Sequence, residues 1–407
     1  MHQAVKIIDD IWYLGSSDRR LAKFENCFPV PSGMSYNSYL VLDEKTLLID
    51  TADLSISSVF IENIEHLLNG RPLDYLIINH MEPDHSATLS EVVLRHPEVT
   101  VVATAKAHAM IRQFFDLNLQ GRVIQVKEGD TLSTGKHSFR FIMAPMVHWP
   151  EVMVSYDELN HILFSADAFG SFGALNGNIF SDQMQLESFE LSEMRRYYAN
   201  VVGKYGAQVQ ALLNKAAGLD IEMICPLHGP IWRVPKKIQW LIEKYAKWAT
   251  YQPEGHEPVI FYSSVYGGTE NAAEVLANAL GEQKVRNIRM YDVSVTDHSY
   301  LVAEAFRASH LVFAATTYNN DLFPEMEHLI SDLKAHNLQS RTVAIIENGS
   351  WAPVSGKKMS ELFASMKNIR LLEESISIKS RVKEDQREKL VALAELIAKS
   401  IDEADMH

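Results

Sequence analysis

The sequence predicts an α/β protein of two domains, and three observations carry that prediction. The chain has 407 residues, more than one ordinary core supports, since domains run to roughly 100–200 residues each. Up to about Ala249, short apolar strands alternate with turns and a few amphipathic helices. Beyond the cluster Gln252-Pro253-Glu254-Gly255 the rhythm becomes strand then helix, repeated, with strands of unbroken apolar character. A sheet covered on both faces requires such strands. The expected division is therefore residues 1–250, a linker at 251–257, and residues 258–407 as a doubly wound parallel sheet.

Along the first half, SYNSYLVL and TLLID flank Asp43-Glu44-Lys45 and predict a hairpin. LDYLIIN, VTVVATA, HSFRFIMA, VMVSYD and HILFSA follow as strands. Apolar residues from Ser57 to Asn69 and from Ser192 to Leu213 recur at helical spacing. This half is expected to pack helices on antiparallel-type sheets. In the second half PVIFYSS, IRMYDVS, HLVFAATT, RTVAIIEN and IRLLEES read as the strands, each followed by a helical stretch.

Composition excludes several classes. Hydrophobic residues make up 47% and charged residues 22%, as in soluble globular proteins, and no apolar run approaches the roughly 20 residues that span a bilayer. The opening MHQAVKIIDD has no basic segment followed by an apolar one, so the expected location is the cytoplasm. With 38 basic against 52 acidic residues the formal charge is −14, which repels phosphate backbones and anionic lipid and argues against nucleic-acid and membrane partners. The two cysteines, Cys27 and Cys225, are too few for a disulfide framework, and without a C-x-x-C pair any cysteine-bound electron carrier must be a separate protein.

The stretch Asn79–Ala87, NHMEPDHSA, concentrates metal-type ligands. LIIN reads as a buried strand, and His80 and Glu82, two apart on an extended chain, project to one side at its end. Asp84 and His85 follow in a turn and face a second point. Further ligand types stand at the ends of predicted strands: His148 after FIMAPMV, Asp167 after HILFSA, His228 after MICPL. Two metals about 3.5–4 Å apart need such a set and a bridging carboxylate. Asp167 suits the bridge, because a carboxylate offers one oxygen to each ion.

The order H-x-E-x-D-H, then a distant His, Asp and His, resembles the metallo-β-lactamase superfamily. Its zinc hydrolases carry H-x-H-x-D-H, whereas Glu82 stands here in place of the second histidine. A carboxylate raises the anionic charge and oxygen content of the site, which favours hard ions such as Fe(III) over zinc. Within that superfamily the variant resembles the flavodiiron proteins, or A-type flavoproteins. The resemblance implies an αββα domain with one iron held by His80, Glu82 and His148, the other by Asp84, His85 and His228, and Asp167 bridging. In some members the histidine matching His85 swings away from the metal. Tyr197, in RRYYAN, is either a residue bordering the ligands or a core tyrosine.

The second half offers the electron supply. PVIFYSS leads into Ser264-Val265-Tyr266-Gly267-Gly268-Thr269, and a helical pattern begins at once. Small residues let backbone N–H groups converge on an anion at a helix N-terminus, which makes a phosphate cradle. It has neither the Lys of a P-loop nor G-x-G-x-x-G, arguing against ATP and NAD. Two further loops fall at carboxyl ends of strands, Thr316-Thr317-Tyr318-Asn319-Asn320 and Asn348-Gly349-Ser350-Trp351-Ala352. Tyr318 and Trp351 are placed to flank an aromatic ring, although Trp351 alone would also serve as a plug at the sheet's end. These loops resemble the flavodoxin family, which implies non-covalent FMN. Thr316 stands where relatives often have proline.

Together the two halves resemble flavodiiron proteins over nearly the full chain. The resemblance implies an oxidoreductase that reduces O2 to water, NO to N2O, or both, as a scavenger in an anaerobe. It also implies two Fe and one FMN per chain, rubredoxin or reduced F420 as electron donor, and a head-to-tail homodimer or a homotetramer. The alternative is a dizinc hydrolase whose flavodoxin-like half is a docking module.

Overall fold

The computed structural model describes residues 1–185, 191–372 and 375–405. The chain forms two compact units, Met1–Tyr198 with Ala207–Ala246, and Ala199–Gly206 with Lys247–His407.

In the first unit the apolar runs become two sheets. One has seven strands in the order Val5–Lys6, Ile11–Tyr13, Tyr39–Leu42, Thr46–Ile49, Tyr75–Ile78, Thr100–Thr104 and Val123–Val126. The other has five, Thr131–Ser133, Ser138–Met143, Met153–Asp157, Ile162–Phe164 and Met223–Cys225. The expected hairpin forms with Tyr39 opposite Ile49 and Leu42 opposite Thr46. The sheets are not simply antiparallel. Thr46–Ile49, Tyr75–Ile78, Thr100–Thr104 and Val123–Val126 run parallel, as do Ile162–Phe164 and Met223–Cys225. Helices Ser57–Leu68, Leu89–Arg95 and Ala105–Phe114 supply the crossovers that parallel pairing demands. Strand patterning alone had hidden Ala105–Phe114.

The two sheets bury one shared core. Tyr39, Val41, Ile49 and Ile77 of the first meet Phe139, Phe141 and Phe164 of the second, all at most 1% exposed. Burying each such side chain contributes about 1.5–3 kcal/mol. Helix Pro235–Ala249 and the helix Gly206–Ala216 lie on the outer face of the five-stranded sheet, around Leu163 and Ile224. The layers are thus helix, sheet, sheet, helix. The continuous helix expected from Ser192 to Leu213 is broken: Leu191–Tyr197 is α, Tyr198–Val202 is π, Gly203–Tyr205 is a 3-10 turn, and α resumes at Gly206. Periodicity misses the break because apolar residues continue through it, while the extra residue of a π turn shifts which of them face the core.

In the second unit the strand order is Arg289–Asp292, Pro258–Ser263, His310–Tyr318, Arg341–Asn348 and Ile369–Leu371, all parallel. In chain order this is 2-1-3-4-5, the flavodoxin arrangement. The expected strand IRLLEES ends at Leu371, its residues 373–374 lying outside the described residues, and Ile376–Ile378 rejoins Arg341–Asn348 further along. Helices Gly268–Glu282 and Glu384–Asp405 pack together on one face. Near the expected linker, Arg341 donates to the Tyr251 carbonyl (2.6 Å) and Trp248 Nε1 to Glu254 (2.8 Å), so these residues are anchored within the unit.

His310 opens the third strand of this sheet at 3% exposure, between the hydroxyls of Ser309 (2.7 Å) and Ser400 (3.0 Å). Burial first, then the positive charges of His256 and Arg370, push its imidazole down to about 4. Between the unfolded value near 6.5 and this value the unfolded chain takes up a proton that the folded unit refuses. The stability from a neutral His310 is therefore present above about pH 6.5 and lost as pH falls toward 4. Urea unfolding of His310→Gln should show a shallower loss over this window than wild type, by at most about 3 kcal/mol. An identical slope in both proteins would remove His310 from the acid response.

Candidate metal centre and flavin cleft

The first unit's ligand types stand just beyond the carboxyl ends of four strands: His80 after Tyr75–Ile78, His148 after Ser138–Met143, Asp167 after Ile162–Phe164 and His228 after Met223–Cys225. The strand ends bring them to one edge of the sandwich. His80, Glu82, His148 and Asp167 form one group whose ligand atoms lie within 4.8 Å of one another, and Asp84, His85 and His228 form another. A short helix, Pro83–Ser86, carries Asp84 and His85, so one loop serves both groups.

Asp167 stands between them. Its Oδ2 lies 3.2 Å from His148 Nε2 and 3.4 Å from His80 Nε2, while Oδ1 lies 3.1 Å from His85 Nε2 and 3.7 Å from His228 Nε2. Glu82 Oε2 reaches the same two imidazoles as Oδ2, His148 at 3.0 Å and His80 at 3.2 Å. Asp84 Oδ2 reaches His85 and His228, at 3.3 and 3.1 Å. His85 Nε2 points inward, 3.0 Å from His228 Nε2.

The supporting groups fix which ring nitrogen is free. His80 Nδ1 lies 2.8 Å from Glu151, which also accepts the Met81 N–H, and His228 Nδ1 donates to the Ser35 carbonyl at 2.7 Å. Both rings therefore present bare Nε2 lone pairs to the interior. Asp50 accepts from Asn79 and from the His80 N–H, clamping the loop. Ala166 and Phe169, at φ 50° and 69°, bracket Asp167 in the left-handed region, and Tyr245 accepts the Phe169 N–H through its hydroxyl. Such backbone persists in non-glycine residues only where its surroundings hold it.

These donors fit metal cations. Among the described residues neither Asp84 oxygen nor Asp167 Oδ1 takes part in a hydrogen bond, though all are buried. Lone pairs of nitrogen and oxygen face one another across about 3 Å, an arrangement that only protons or metal ions relieve. With protons alone, burial pulls His80 and His148 down but Asp167 and its neighbouring carboxylates outweigh it, holding His80 well up and His148 at about 9. Burial likewise opposes ionisation of Asp167, yet the histidines, His85 foremost, hold it well below the usual range.

Glu151, Asp50 and Ser35 were not singled out from sequence, nor were Phe24 and Glu25. Phe24 stacks edge-on to His228 with ring centroids 5.3 Å apart. Burial, then the charge of Glu82, push the Glu25 carboxyl up to about 8, although the residue as a whole is exposed. Tyr197 is fully buried with its ring 5.5 Å from His228, and its hydroxyl has no hydrogen-bond partner among the described residues. It therefore borders the ligands.

The second unit has a cleft of about 680 Å³ at the carboxyl ends of its strands. Ser264, Val265, Tyr266, Gly268 and Thr269 line it from the first loop, Thr317, Tyr318, Asn319 and Asn320 from the second, and Gly349, Ser350 and Trp351 from the third. Gly267 stands behind, as the residue preceding helix Gly268–Glu282, at φ 82°. Asn348, expected with the third loop, also lines the cleft, as do Ser380 and Arg381, which had not been foreseen. Their signal was weak, because Ser380 and Arg381 follow a short strand that the sequence did not announce. The residues fit a phosphorylated flavin. The hydroxyls of Ser263 and Ser264 are buried without partners among the described residues. A Cβ on Gly268 would come within 2.1 Å of the Ser380 carbonyl, so only glycine brings the helix start this close. Thr317 spends its hydroxyl on the Val354 and Ser355 N–H groups, shaping the second loop from behind.

A buried two-metal cluster in a lactamase-type sandwich, carried in one chain with a flavodoxin-type sheet, defines a metalloflavoprotein. The model of the ODP family beta lactamases matches residues 34–229. The chain is 30% identical over 402 residues to the rubredoxin-oxygen oxidoreductase of Megalodesulfovibrio gigas, covering 98% of each. It is 29% identical over 391 residues to the anaerobic nitric oxide reductase flavorubredoxin of Shigella flexneri, covering 94% of this chain and 79% of that one. A variant of the flavo di-iron protein of Thermotoga maritima superposes with TM-score 0.89 at 25% identity, covering 98% of both. The chain belongs to the flavodiiron protein family. Among the described residues no helix is long and apolar enough to cross a membrane.

Because Glu151 fixes the His80 tautomer, Glu151→Ala should lower metal affinity about 10–100-fold while the fold survives. Metal content after dialysis against a chelator series reads this out, and retention equal to wild type would deny Glu151 its orienting role.

Proposed function

We propose that the chain reduces O2 to water, NO to N2O, or both, at a non-haem diiron centre fed by FMN. The observation that carries the reading is Asp167, whose two oxygens face two separate histidine pairs. The proposed ligands are His80, Glu82 and His148 for one iron, Asp84, His85 and His228 for the other, and Asp167 between them. His85 belongs to the set because its Nε2 faces Asp167, Asp84 and His228. Bound irons would supply open positions for the diatomic gas and divide between them the electrons given to it, and bound FMN would accept electrons in ones or twos and supply them.

The chain's own residues do the rest. Glu82, Asp84 and Asp167 place anionic oxygen around the metals, which suits Fe(III) better than zinc. Phe24, Phe172 and Tyr197 wall the His228 side with aromatic rings and keep bulk water from it. We propose that the flavin lies in the cleft with its ring bordered by Tyr318 and Trp351 and its phosphate on Ser264–Thr269. Val265, Tyr266, Tyr318 and Trp351 are exposed around that cleft, Tyr266 and Trp351 by 98% and 93%. Such an apolar rim marks an interaction site. It suits a rubredoxin-type electron donor and the partner subunit of a head-to-tail homodimer, or of a tetramer built from such dimers. A location in the cytoplasm belongs to the same reading.

Protein from iron-replete cells should contain about two irons and one FMN per chain and consume O2 or NO anaerobically with reduced donor. Two zincs that iron cannot displace would return the first unit to hydrolysis. Asp167→Asn should abolish gas reduction while FMN stays bound and reducible, and full turnover by that variant would remove the bridge. An active species that sediments strictly as a monomer at assay concentration would overturn the dimer.

A further inference from the structure

We infer that Arg381 is the cationic clamp of the flavin phosphate and the residue that selects phosphorylated flavin over riboflavin. The inference rests on the flavin reading of the cleft. Every lining residue apart from Arg381 is uncharged. The cradle of Ser264–Thr269 offers hydroxyls, backbone N–H groups and the start of helix Gly268–Glu282, all of them dipoles. A phosphate monoester carries about −1.5 to −2 charge at neutral pH, and Glu270 in the first turn of that helix adds a negative charge close by, its Oε2 3.9 Å from where a Cβ on Gly267 would lie. Dipoles alone leave this charge unbalanced, and a guanidinium matches phosphate geometry with paired N–H donors.

The loop is built to bring Arg381 there. Asn348, at the end of the fourth strand, clips Ser380 on both sides: its Oδ1 accepts the Ser380 N–H at 3.0 Å and its Nδ2 donates to the Ser380 carbonyl at 3.3 Å. Ser380 Oγ reaches Ser350 Oγ at 2.9 Å. Ser380 holds φ 69°, and the Arg381 N–H closes onto the Lys379 carbonyl at 2.9 Å. The contact that forbids a Cβ at Gly268 is with this same Ser380 carbonyl. The loop preceding Arg381 is therefore pressed against the first residue of the phosphate-cradling helix. The Arg381 guanidinium has no carboxylate partner among the described residues, so its donors are free for a ligand.

The test is titration of the full-length protein, stripped of flavin, with FMN and with riboflavin, read by quenching of flavin fluorescence at low and moderate salt. For Arg381→Ala the FMN dissociation constant should rise about tenfold, with riboflavin changed less than about twofold. The salt dependence of FMN binding should also shrink. Arg381→Lys should recover part of the loss, because it keeps the charge and loses the fork. Equal weakening of both ligands would make Arg381 a structural residue of the loop, and unchanged FMN affinity would place the phosphate elsewhere; either overturns the proposal. If wild type binds riboflavin as tightly as FMN, the phosphate clamp fails while the flavin cleft stands. If wild type binds neither, the flavin reading fails with it.

Discussion

Everything in the first unit answers to one electrostatic problem, a buried carboxylate with a histidine pair on either side. Asp167 is 1% exposed, and taking an ion out of water costs several kcal/mol unless opposite charge meets it. Glu82 and Asp84 add two more carboxylates within reach of the same imidazoles. No packing of neutral groups stabilises such a cluster, but cations between the oxygens and the bare nitrogens do. The fold supplies the alignment. Four strand ends meet at one edge of the sandwich, Asp50 and Asn79 brace the loop from His80 onward, and left-handed residues on both sides of Asp167 turn its carboxylate inward. The strain is tolerable because the Tyr245 hydroxyl and the surrounding core hold that turn.

What the sequence disclosed follows from what is local. His80, Glu82, Asp84 and His85 sit in six consecutive residues, and strand ends with isolated His or Asp are visible as punctuation after apolar runs. The flavin loops were legible for the same reason, since each follows an apolar strand directly. Groups that act across long sequence separations left no such mark. Glu151 supports His80 from 71 positions away and Ser35 supports His228 from 193, and one of these contacts is a backbone carbonyl that any residue type provides. Arg381 escaped because its loop is recruited by Asn348, 32 and 33 positions earlier, through an amide that looks like a strand terminus. The mixed sheet in the first unit was misread because parallel strands and a sandwich core show the same unbroken apolar runs. Helix Ala105–Phe114 buries only Ala107 and Ile111, so it offers few apolar residues by which to recognise it.

The two cofactor-type sites illustrate opposite solutions to charge. In the metal cluster the protein provides concentrated negative charge and withholds water, so that affinity comes from ions with high positive charge. In the flavin cleft it provides dipoles and one guanidinium, enough for a single dianion. The first site is closed, each group of donors lying within 4.8 Å of one another in the interior. The second is open at its rim, where Tyr266 and Trp351 stand in solvent, and that exposure is the requirement of an electron port rather than of a storage site.

Glu82 is where the two halves of the functional argument meet. A histidine at this position would leave three neutral imidazoles around the first metal point, a donor set that suits zinc. The carboxylate instead places Oε2 beside the same two imidazoles that face Asp167 Oδ2, so two anionic oxygens converge on one metal position. Burial resists that charge and His148 and His80 overcome it, holding Glu82 ionised far below the ordinary carboxylate range. A site that keeps two carboxylates ionised side by side stabilises the more oxidised state of any metal it holds, because each added positive charge gains more than it would among neutral nitrogens. That preference is of no use to a hydrolase, whose metal never changes charge. It has a purpose only where electrons arrive from elsewhere, and the second unit of the same chain is built to deliver them.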